Sequence, residues 1–584
     1  MAARTIQINS FCGGSSKLAD SEFLGMEESL NMYPETVTAT DYYTTKVLKS
    51  VEGFNKGPTF ESNEKYLGMG VVNSNPWSSP AIKESFLVVT RTGASNDCKV
   101  WNIYGGTKAQ VGSLSSGSGE RAIVEELSNG VVVFTLGGSM YSADPTSTTS
   151  PAPTCYPIVL PDAFDHAGKV KPTQLAQLNF RLIVNDEDSD YIYWSEINRP
   201  RSALDIHPFE QSLTQYAYTK TDGTVITFSD NVFYAPSAGT YDPSTLTTQT
   251  VYTSALNSMK MDLKADKVVA LRATDTSLFV FGNNSLQVLR WQNSTSAPFA
   301  IVAKSSLAGV AFADAVAVVG NECFFVGKGP QGMLGVFAAD ENCNIRKVST
   351  NAVDQRLAKY AAITHGFKDI RTFTYTYKGH QFFIFTAVEY YDEFEGTMAY
   401  DVGEDVWTDR ASFDENGDKF AWCAVDAHHI EGRPTFVTRT RGGKYRLAEF
   451  VPNSSTDHWL EETSDDLNYY IVKERTTGIK YDGVNDIVVT SLELVMNAGA
   501  TMQTDPSKQG YNPRVMLQVS NDGGRTWSNE LWAYAGNVGQ YSWRVRWNGL
   551  GRGARFAFRV RMTDPVTFEI ATAYLSYLPC GNRV

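Results

Sequence analysis

Four acidic residues close together in the sequence are the first candidates for chemistry. Asp186, Glu187, Asp188 and Asp190 could supply the paired carboxyl groups with which a glycosidase performs acid and base catalysis. Such a pair must be held ~5–10 Å apart across the scissile bond, whereas adjacent acids in a polar loop are more often solvated. Spacing in the sequence therefore does not by itself predict an active site here.

Two adjacent histidines are the candidate metal ligands. His428 and His429 follow Asp426 closely, but neighbouring residues of a strand point to opposite faces of the sheet and cannot easily bind one ion. The sequence also contains no Gly-x-Ser-x-Gly elbow and no phosphate-binding P-loop. We therefore expect a protein that is not an enzyme and that has no catalytic residue, metal site or cofactor.

A short segment near the carboxyl terminus has a recognisable turn pattern. The spacing S-x-D-x-G-x-x-W, which resembles the Asp-box of sialidases and related propellers, is formed by Ser520, Asp522, Gly524 and Trp527. In such a turn Asp522 binds backbone amides, Gly524 adopts a positive φ, and Trp527 packs beneath the hairpin. The turn is structural, so it predicts a hairpin and identifies no reaction.

Five arginines alternate with apolar residues in two later segments, 543–547 and 555–562. A period of two places the apolar side chains on a buried face and the arginines on the other face of each strand. These residues are Arg544, Arg546, Arg555, Arg559 and Arg561. They can form the solvated side of an antiparallel sheet or a subunit interface, because arginine pairs well with carboxylates. Both interpretations remain open.

Strands joined by tight turns carry these residues. Leu271–Trp291 predicts a strand, a reversal at Gly282–Ser285 and a second strand. The same pattern recurs at 123–141, at 373–386 and around Asp222–Gly223, Glu431–Gly432 and Gly442–Gly443. The sequence therefore predicts an all-β chain, and small sheets of roughly 40–60 residues each are typical of a β-propeller with six or seven blades.

Changes in composition divide the chain into three predicted parts. Residues 1–60 have little apolar periodicity, so an extended N-terminal arm docked on a neighbour and an ordinary first strand with a loop are both open. Residues 61–450 contain the propeller hairpins. Residues 451–584 have strands of their own and predict a separate C-terminal antiparallel domain that resembles a β-sandwich.

The propeller segment contains one predicted helix and two predicted loops. Thr350–Tyr360 places Val353 and Leu357 on one face behind an N-terminal cap. Inserted loops are expected near 144–157, which is rich in proline, and near 233–255, which is rich in Thr, Ser, Tyr and Pro. Such loops either carry contacts to partners or are tolerated surface insertions.

Charge and cysteine content limit the functional classes. The 584 residues include 51 Lys and Arg against 64 Asp and Glu, a net charge of −13, so the chain lacks the counterion-release affinity of a protein that wraps nucleic acid. Seven widely spaced cysteines without a CxxC pair argue against a disulfide scaffold and a structural zinc site. No signal peptide or membrane-spanning segment is evident, so we expect a soluble protein made in a reducing cytoplasm.

The order of several motifs resembles a known family. Leu30–Pro34 followed by Lys46–Phe54 is similar to the opening of packaged-DNA stabilisation proteins, the tail hub or nozzle proteins of short-tailed bacteriophages (podoviruses). Loose similarity continues over most of the chain, through Gln177–Val184, Ile192–Ser195, Ser277–Trp291, Gly309–Phe325, the helix near Val353, Tyr400–Val402 with Trp407, Trp547–Arg552, Phe558–Arg561 and Pro565–Val566.

This resemblance implies a structural protein of the virion tail that is made in the host cytoplasm. It implies a homo-oligomeric ring, a hexamer, that lies below the portal and its head–tail adaptor ring and encloses the DNA exit channel. Such a ring retains the packaged genome until ejection and docks fibres, spikes or a needle. Double-stranded DNA would pass through it without sequence readout, and the protein would not insert into a membrane by itself.

Two other functional classes remain open at this point. The Asp-box pattern suggests a sialidase-like propeller that binds or hydrolyses glycans, and this would require arginines and carboxylates clustered on one propeller face. The third class is a monomeric propeller that serves as a scaffold for protein partners. The absence of GH…WD repeats argues against the commonest version of that class.

Overall fold

The structure is a computed structural model. It describes residues 3–16, 26–38, 44–60, 64–77, 82–93, 96–115, 117, 119–147, 153–219, 223–229, 247–254, 257–261, 263, 266–292, 294, 298–329, 332–364, 366–367, 370–387, 396–414, 416–454, 471–483 and 485–580. The chain divides into two compact units, one formed by 1–65 with 307–584 and the other by 66–306. No helix in the described ranges is long and apolar enough to cross a membrane.

The first 60 residues contain five short strands. They are β1 (Arg4–Gln7), β2 (Glu28–Leu30), β3 (Met32–Thr38), β4 (Thr44–Ser50) and β5 (Gly53–Phe54). All five pair with other strands of the same chain, and Met32, Leu48 and Phe54 are buried. The described part of the expected arm is therefore built into the chain's own sheets, in strands too short to give a visible apolar period.

The unit 66–306 consists of consecutive antiparallel meanders. The first sheet contains β6 (Glu64–Val72), β7 (Ser85–Thr92), β8 (Cys98–Tyr104) and β9 (Thr107–Leu114), and the second contains β10 (Ala122–Glu126), β11 (Val132–Leu136), β12 (Ser139–Ala143) and β13 (Tyr156–Pro157). Three apolar clusters fill the spaces between successive sheets of this unit. Arg272 Nη1 donates a hydrogen bond to Gln174 Oε1 over 2.9 Å.

The third sheet of this unit carries an insertion. It contains β14 (Leu175–Leu178), β15 (Arg181–Asn185), β16 (Tyr191–Trp194) and β20 (Ser258–Lys260), and the inserted sheet contains β17 (Glu210–Thr219), β18 (Val225–Ser229) and β19 (Thr247–Ser254). The predicted loop at 233–255 is thus wrong for 247–254, where the β-forming residues of TTQTVYTS pair with β17. Residues 233–246 and 148–152 of the predicted loops lie outside the described residues.

The fourth sheet contains the hairpin that the sequence indicates most clearly. Its strands are β21 (Val268–Ala273), β22 (Ser277–Gly282), β23 (Leu286–Trp291) and β24 (Phe299–Ser305). The predicted hairpin is confirmed, but Gly282 does not have a positive φ. Glycine is needed because a Cβ there would lie 2.3 Å from Asp266 Oδ2, which accepts hydrogen bonds from Asn284 N and Ser285 Oγ.

The other unit begins its run of meanders at Gly309. One sheet contains β25 (Gly309–Val310), β26 (Val316–Val319), β27 (Glu322–Lys328), β28 (Leu334–Ala339) and β29 (Ile345–Lys347). The predicted helix is confirmed as α1 (Asn351–Ile363), with Thr350 Oγ1 accepting a hydrogen bond from Val353 N. Val353, Leu357 and Tyr360 on one helix face are buried.

Two further meanders complete this series. One contains β30 (Ile370–Tyr377), β31 (His380–Ala387), β32 (Thr397–Asp401) and β33 (Val406–Phe413), with β34 (Lys419–Ala421) beside β33; the other contains β35 (Ala424–Ile430), β36 (Arg433–Arg439) and β37 (Tyr445–Val451), and β5 supplies its fourth strand. Four meanders in one unit and three in the other therefore lie among the described residues. A four-stranded meander is the unit of a propeller blade.

A two-layered sandwich follows the meanders. Its strands are β38 (Lys473–Thr476), β39 (Ile487–Met496), β40 (Arg514–Ser520), β41 (Leu531–Tyr534), β42 (Val545–Gly553), β43 (Ala557–Met562) and β44 (Glu569–Pro579). One layer has the order β3-β4-β44-β39-β42, with β1 beside β44, and the other has the order β2-β38-β43-β40-β41. Ile8, Phe11, Met32 and Leu48 join the apolar core between the layers. The sandwich thus uses strands from both ends of the chain.

Candidate interaction surfaces

The Asp-box-like turn follows β40 in the sandwich. Asp522 Oδ1 accepts hydrogen bonds from the backbone N–H groups of Arg525 and Thr526 over 3.1 and 3.0 Å, and Oδ2 accepts from Thr526 Oγ1 over 2.6 Å. Ser520 Oγ donates to Asp522 Oδ1 and accepts from Gly524 N. The hydroxyl of Thr526 is the main cause that lowers the pKa of Asp522 to about 2. Every partner of this carboxylate belongs to the turn, so the turn is organised for its own structure.

Two other features of the turn are relevant to its role. Gly524 has a φ of 90°, a conformation that glycine adopts without strain. Trp527 is half-buried, and the Arg559 guanidinium carbon lies 4.1 Å from its ring centroid. The tryptophan is therefore covered by an arginine of β43 at the sheet surface. The turn belongs to the sandwich and lies outside the meanders.

Of the five predicted arginines, Arg544 lies just before β42 and Arg546 lies within it. Arg544 donates through Nε and Nη2 to the two carboxylate oxygens of Glu493 over 2.7 and 2.6 Å. Arg546 donates to Ser491 Oγ over 3.0 Å. These contacts join β42 to β39 on the outer face of one sandwich layer. Trp543 was expected on the buried face of this strand, but 45% of it is exposed because β42 begins only at Val545.

The other three arginines belong to the opposite layer. Arg559 and Arg561 both bind Glu474 of β38, with the shortest Arg561 contact at 2.7 Å. Arg555 lies just before β43 and lines a cleft of about 530 Å³ together with Glu27 and Tyr481. The structure therefore does not bring the five arginines onto one surface. Four of them bind side chains of their own chain, as residues of a solvated sheet face do.

The candidate acids and histidines take separate structural roles. Asp186 is buried and accepts hydrogen bonds from Lys171 N and from His166 Nε2, each over 2.8 Å. Asp188 and Asp190 pair with Lys267 and Lys260. His429 Nε2 accepts a hydrogen bond from Thr376 N, and the neighbouring position on β35 points to the other sheet face.

The structure assembles one group that the sequence did not suggest. Ligand atoms of Asp165, His166 and Asp186 lie within 4.8 Å of one another. The pKa of His166 is raised, most by a hydrogen bond with the Ala167 carbonyl and next by the hydrogen bond with Asp186. His166 and Asp186 are 20 positions apart in the sequence, so a short motif does not reveal this group. His166 already binds Asp186, and Asp165 Oδ2 accepts a hydrogen bond from Ser189 Oγ over 2.7 Å, so the geometry alone does not require an ion.

Sequence analysis also missed an exposed apolar surface. Five side chains on β41 and on the loop after it are 39–73% exposed and define what we call the aromatic edge; they are Leu531, Trp532, Val538, Tyr541 and Trp543. The alternating pattern predicts that Trp543 is buried, and it makes no prediction for the other four residues. The signal that could have found them is the concentration of Trp and Tyr outside the strictly alternating strands.

Comparison with known families identifies the two kinds of domain. Residues 164–442 match the family described as Bacteriophage P22 Gp10, beta-propeller, and residues 474–577 match Bacteriophage P22 Gp10, beta-sandwich. The chain belongs to the P22 Gp10 family. The resemblance to packaged-DNA stabilisation proteins and the prediction of an all-β propeller with a sandwich are thereby confirmed. This Gp10-family protein is a structural protein of a bacteriophage tail.

The solved structures that match this Gp10-family protein are much more distant from it. A β-propeller domain of Myceliophteria thermophila Cps50 (Swd1) is 9% identical with a TM-score of 0.35, covering 68% of this chain and 100% of that chain. An exo-β-1,3-galactanase from Phanerochaete chrysosporium is 8% identical with a TM-score of 0.23, covering 87% and 100%. A mutant Trypanosoma rangeli sialidase displaying trans-sialidase activity is 8% identical with a TM-score of 0.27, covering 89% and 96%. No individual curated protein sequence matches the chain.

Proposed function

We propose that this protein forms a ring in the phage tail, below the head–tail adaptor, that encloses the DNA exit channel. The ring retains the packaged genome until ejection and provides the attachment point for fibres, spikes or a needle. The observation that carries this proposal is the succession of P22 Gp10 propeller and sandwich domains in one chain. Six copies are the stoichiometry expected from the family resemblance.

The charge of the protein supports passage of DNA without sequence readout. A net charge of −13 per chain makes a wall that repels phosphates, so a duplex slides along it instead of binding. This part of the proposal requires acidic groups on the channel wall. A basic channel with acidic groups on the outside of the ring would contradict it.

The glycan-directed alternative has no comparable support. Its only motif is the turn at Ser520–Trp527, which belongs to the sandwich and binds its own backbone. The similarity to a sialidase, with a TM-score of 0.27, carries no argument for a reaction.

Cryo-electron microscopy of virions tests the proposal. We expect ring density for this chain between the adaptor and the tail tip, and we expect particles assembled without it to lose their DNA. The mass of the purified chain with and without its adaptor ring, measured by native mass spectrometry, tests the stoichiometry. Virions that lack the chain, or that carry it away from the channel, would contradict the proposal.

A further inference from the structure

The aromatic edge belongs to a segment that contributes many of the exposed large apolar side chains among the described residues. Seven of the twenty exposed large apolar side chains fall within residues 495–543, because Val495 and Met502 add to the five of the edge. Exposed apolar surface concentrated in this way marks interaction sites. Tryptophan and tyrosine are also the residue types that dominate the binding energy of protein interfaces.

Two backbone carbonyls at this edge already accept hydrogen bonds. Trp547 Nε1 donates to Leu531 O, and Trp543 Nε1 donates to Tyr534 O, each over 2.8 Å. Two carbonyls of β41, the last strand of its layer in the described part of the chain, are thus bound by indoles from the neighbouring layer. Addition of a foreign strand to an edge needs free backbone groups. A partner must therefore contact the side chains of the edge.

A polar recess lies beside the exposed Trp532. Two adjoining clefts of about 440 and 330 Å³ share Lys508 and Gln509. Trp532 lines the second cleft, and the Arg514 guanidinium carbon lies 5.6 Å from its ring centroid. The site therefore combines an aromatic ring with two cationic side chains and one carboxylate, that of Asp564, so its excess of positive charge favours an acidic partner surface.

The charge of the chain is divided unequally along its length. Residues 471–584 contain thirteen Lys and Arg against nine Asp and Glu, a net charge of +4. Residues 1–470 contain the other 38 Lys and Arg against 55 Asp and Glu, a net charge of −17. Residues 471–584 of one copy and residues 1–470 of a second copy are therefore electrostatically complementary, whereas two copies of residues 1–470, the acidic part, repel each other.

We propose that the aromatic edge, with Lys508 and Arg514 beside it, is the face by which one copy of this chain docks on the acidic part of a second copy. This inference rests on the proposed ring and identifies the surface that closes it. Contact between two different surfaces of identical chains is the arrangement that produces a ring. The aromatic side chains supply the apolar contact, and the charge difference fixes which part of the neighbour they meet.

Paired variants of the full-length chain test this interface. The double variant Trp532→Ser/Tyr541→Ser removes two exposed rings, and Tyr481→Ser removes a tyrosine that is 67% exposed elsewhere on the sandwich. Analytical ultracentrifugation over a concentration series should show assembly of the wild type and of Tyr481→Ser. The double variant should assemble with a Kd raised about 10-fold or more, as for interface hot spots. Unchanged thermal unfolding would show that all variants are folded.

A charge variant tests the choice of partner surface. Lys508→Glu should weaken assembly at low salt, and this difference from the wild type should shrink at 1 M salt, where charges are screened within about 3 Å.

A double variant that assembles like the wild type would overturn the inference. A wild-type chain that stays monomeric at 100 µM, roughly the concentration at which weak specific interfaces form, would also overturn it. A double variant that assembles normally but yields virions without fibres would assign the edge to another tail protein.

The proposed function and this inference can be rejected independently of each other. Cryo-electron microscopy would still place the chain around the channel if its ring closed through another surface. Absence of the chain from the tail would instead reject the ring itself.

Discussion

A single buried lysine in the sandwich gives the clearest titration at the scale of residues. Lys473 on β38 is fully buried, and its Nζ donates to the carbonyls of Asp564 and Val566, each over 3.2 Å. Burial lowers the pKa of Lys473 to about 7, although the nearby Asp564 opposes this. In the unfolded chain the pKa returns to near 10.4. Between these two values the folded protein therefore binds fewer protons than the unfolded chain.

This difference predicts how stability depends on pH. The free energy of unfolding should rise as pH increases from about 7 toward 10, by up to about 1.4 kcal/mol per pH unit from this group. Lys473→Met should abolish that rise relative to the wild type, as measured by urea unfolding at a series of pH values. Lys304→Met, at an exposed position of β24, is the matched control. Parallel pH profiles for wild type and Lys473→Met would contradict the prediction.

The Asp-box-like turn predicts a second effect at this scale. Asp522→Ala removes the acceptor of three hydrogen bonds from Arg525 and Thr526, so it should reduce the free energy of unfolding by about 1–3 kcal/mol at neutral pH. Because the pKa of Asp522 is lowered to about 2, the wild type should lose this contribution as pH falls from about 4 to 2. Arg525→Ala, which keeps the backbone N–H, should change stability little. Urea unfolding at pH 7 and pH 2 measures both effects.

Local chemistry was predictable from the sequence at this scale, whereas distant pairing was not. The spacing of Ser520, Asp522 and Gly524 indicated the turn because its hydrogen bonds span only a few residues. The partners of Arg544 and Arg561 lie 51 and 87 positions away. An alternating pattern can place an arginine on a sheet face, but it cannot say which neighbouring strand supplies a carboxylate.

At the scale of elements, the short N-terminal strands join parts of the chain that are far apart in sequence. Asn31 follows β2 with a φ of 52°. Its side chain is buried and donates to Ala411 O and Val472 O, each over 2.9 Å, and accepts from Ala411 N over 2.9 Å. One side chain thus links β33 of the last but one meander to the start of the sandwich. Such a link cannot be derived from periodicity, because its partners are 380 and 441 positions away.

Asn31→Ala should therefore be strongly destabilising. The substitution leaves buried backbone groups without their partners. It also places alanine at a positive φ, which alanine tolerates less well than asparagine. We therefore expect the free energy of unfolding to fall by about 3–5 kcal/mol. Asn453 also has a positive φ, of 61°, but is exposed. Asn453→Ala should cost only about 1 kcal/mol. Equal losses in the two variants, measured by denaturant unfolding, would show that the buried hydrogen bonds of Asn31 contribute little.

The meanders themselves were predictable because each is a local structure. The hairpin at Lys378–Gly379 has positive φ angles of 50° and 85°, as a tight reversal between β30 and β31 requires. The fourth strand of the last meander was not predictable in the same way. β5 consists of Gly53–Phe54 and pairs with Phe450–Val451, so its position depends on tertiary contacts between distant segments.

At the scale of the whole molecule, the two ends of the chain complete one domain. β1 pairs with β44, with Arg4 opposite Tyr577, and Ile8 and Phe11 lie in the core between the sandwich layers. Arg475 in that domain is fully buried and donates to Ser10 O and Gly14 O over 2.7 and 2.8 Å. The sequence predicted the sandwich from residues 451–584, but four of its eleven strands, β1 to β4, come from the first 50 residues.

Two N-terminal deletions should separate these contributions. Removal of residues 1–7 takes away the exposed strand β1 and should lower the unfolding temperature of the sandwich only slightly. Removal of residues 1–12 also takes away Ile8, Phe11 and the Ser10 carbonyl that binds Arg475. Because a buried phenylalanine alone is worth about 3–5 kcal/mol and a buried arginine would lose a partner, the longer deletion should unfold the sandwich near physiological temperature. Hydrogen exchange should then rise in β39, β43 and β44, while the meanders of 66–306 keep their protection. Sandwich strands that stay protected after the longer deletion would mean that the C-terminal segment folds without the start of the chain.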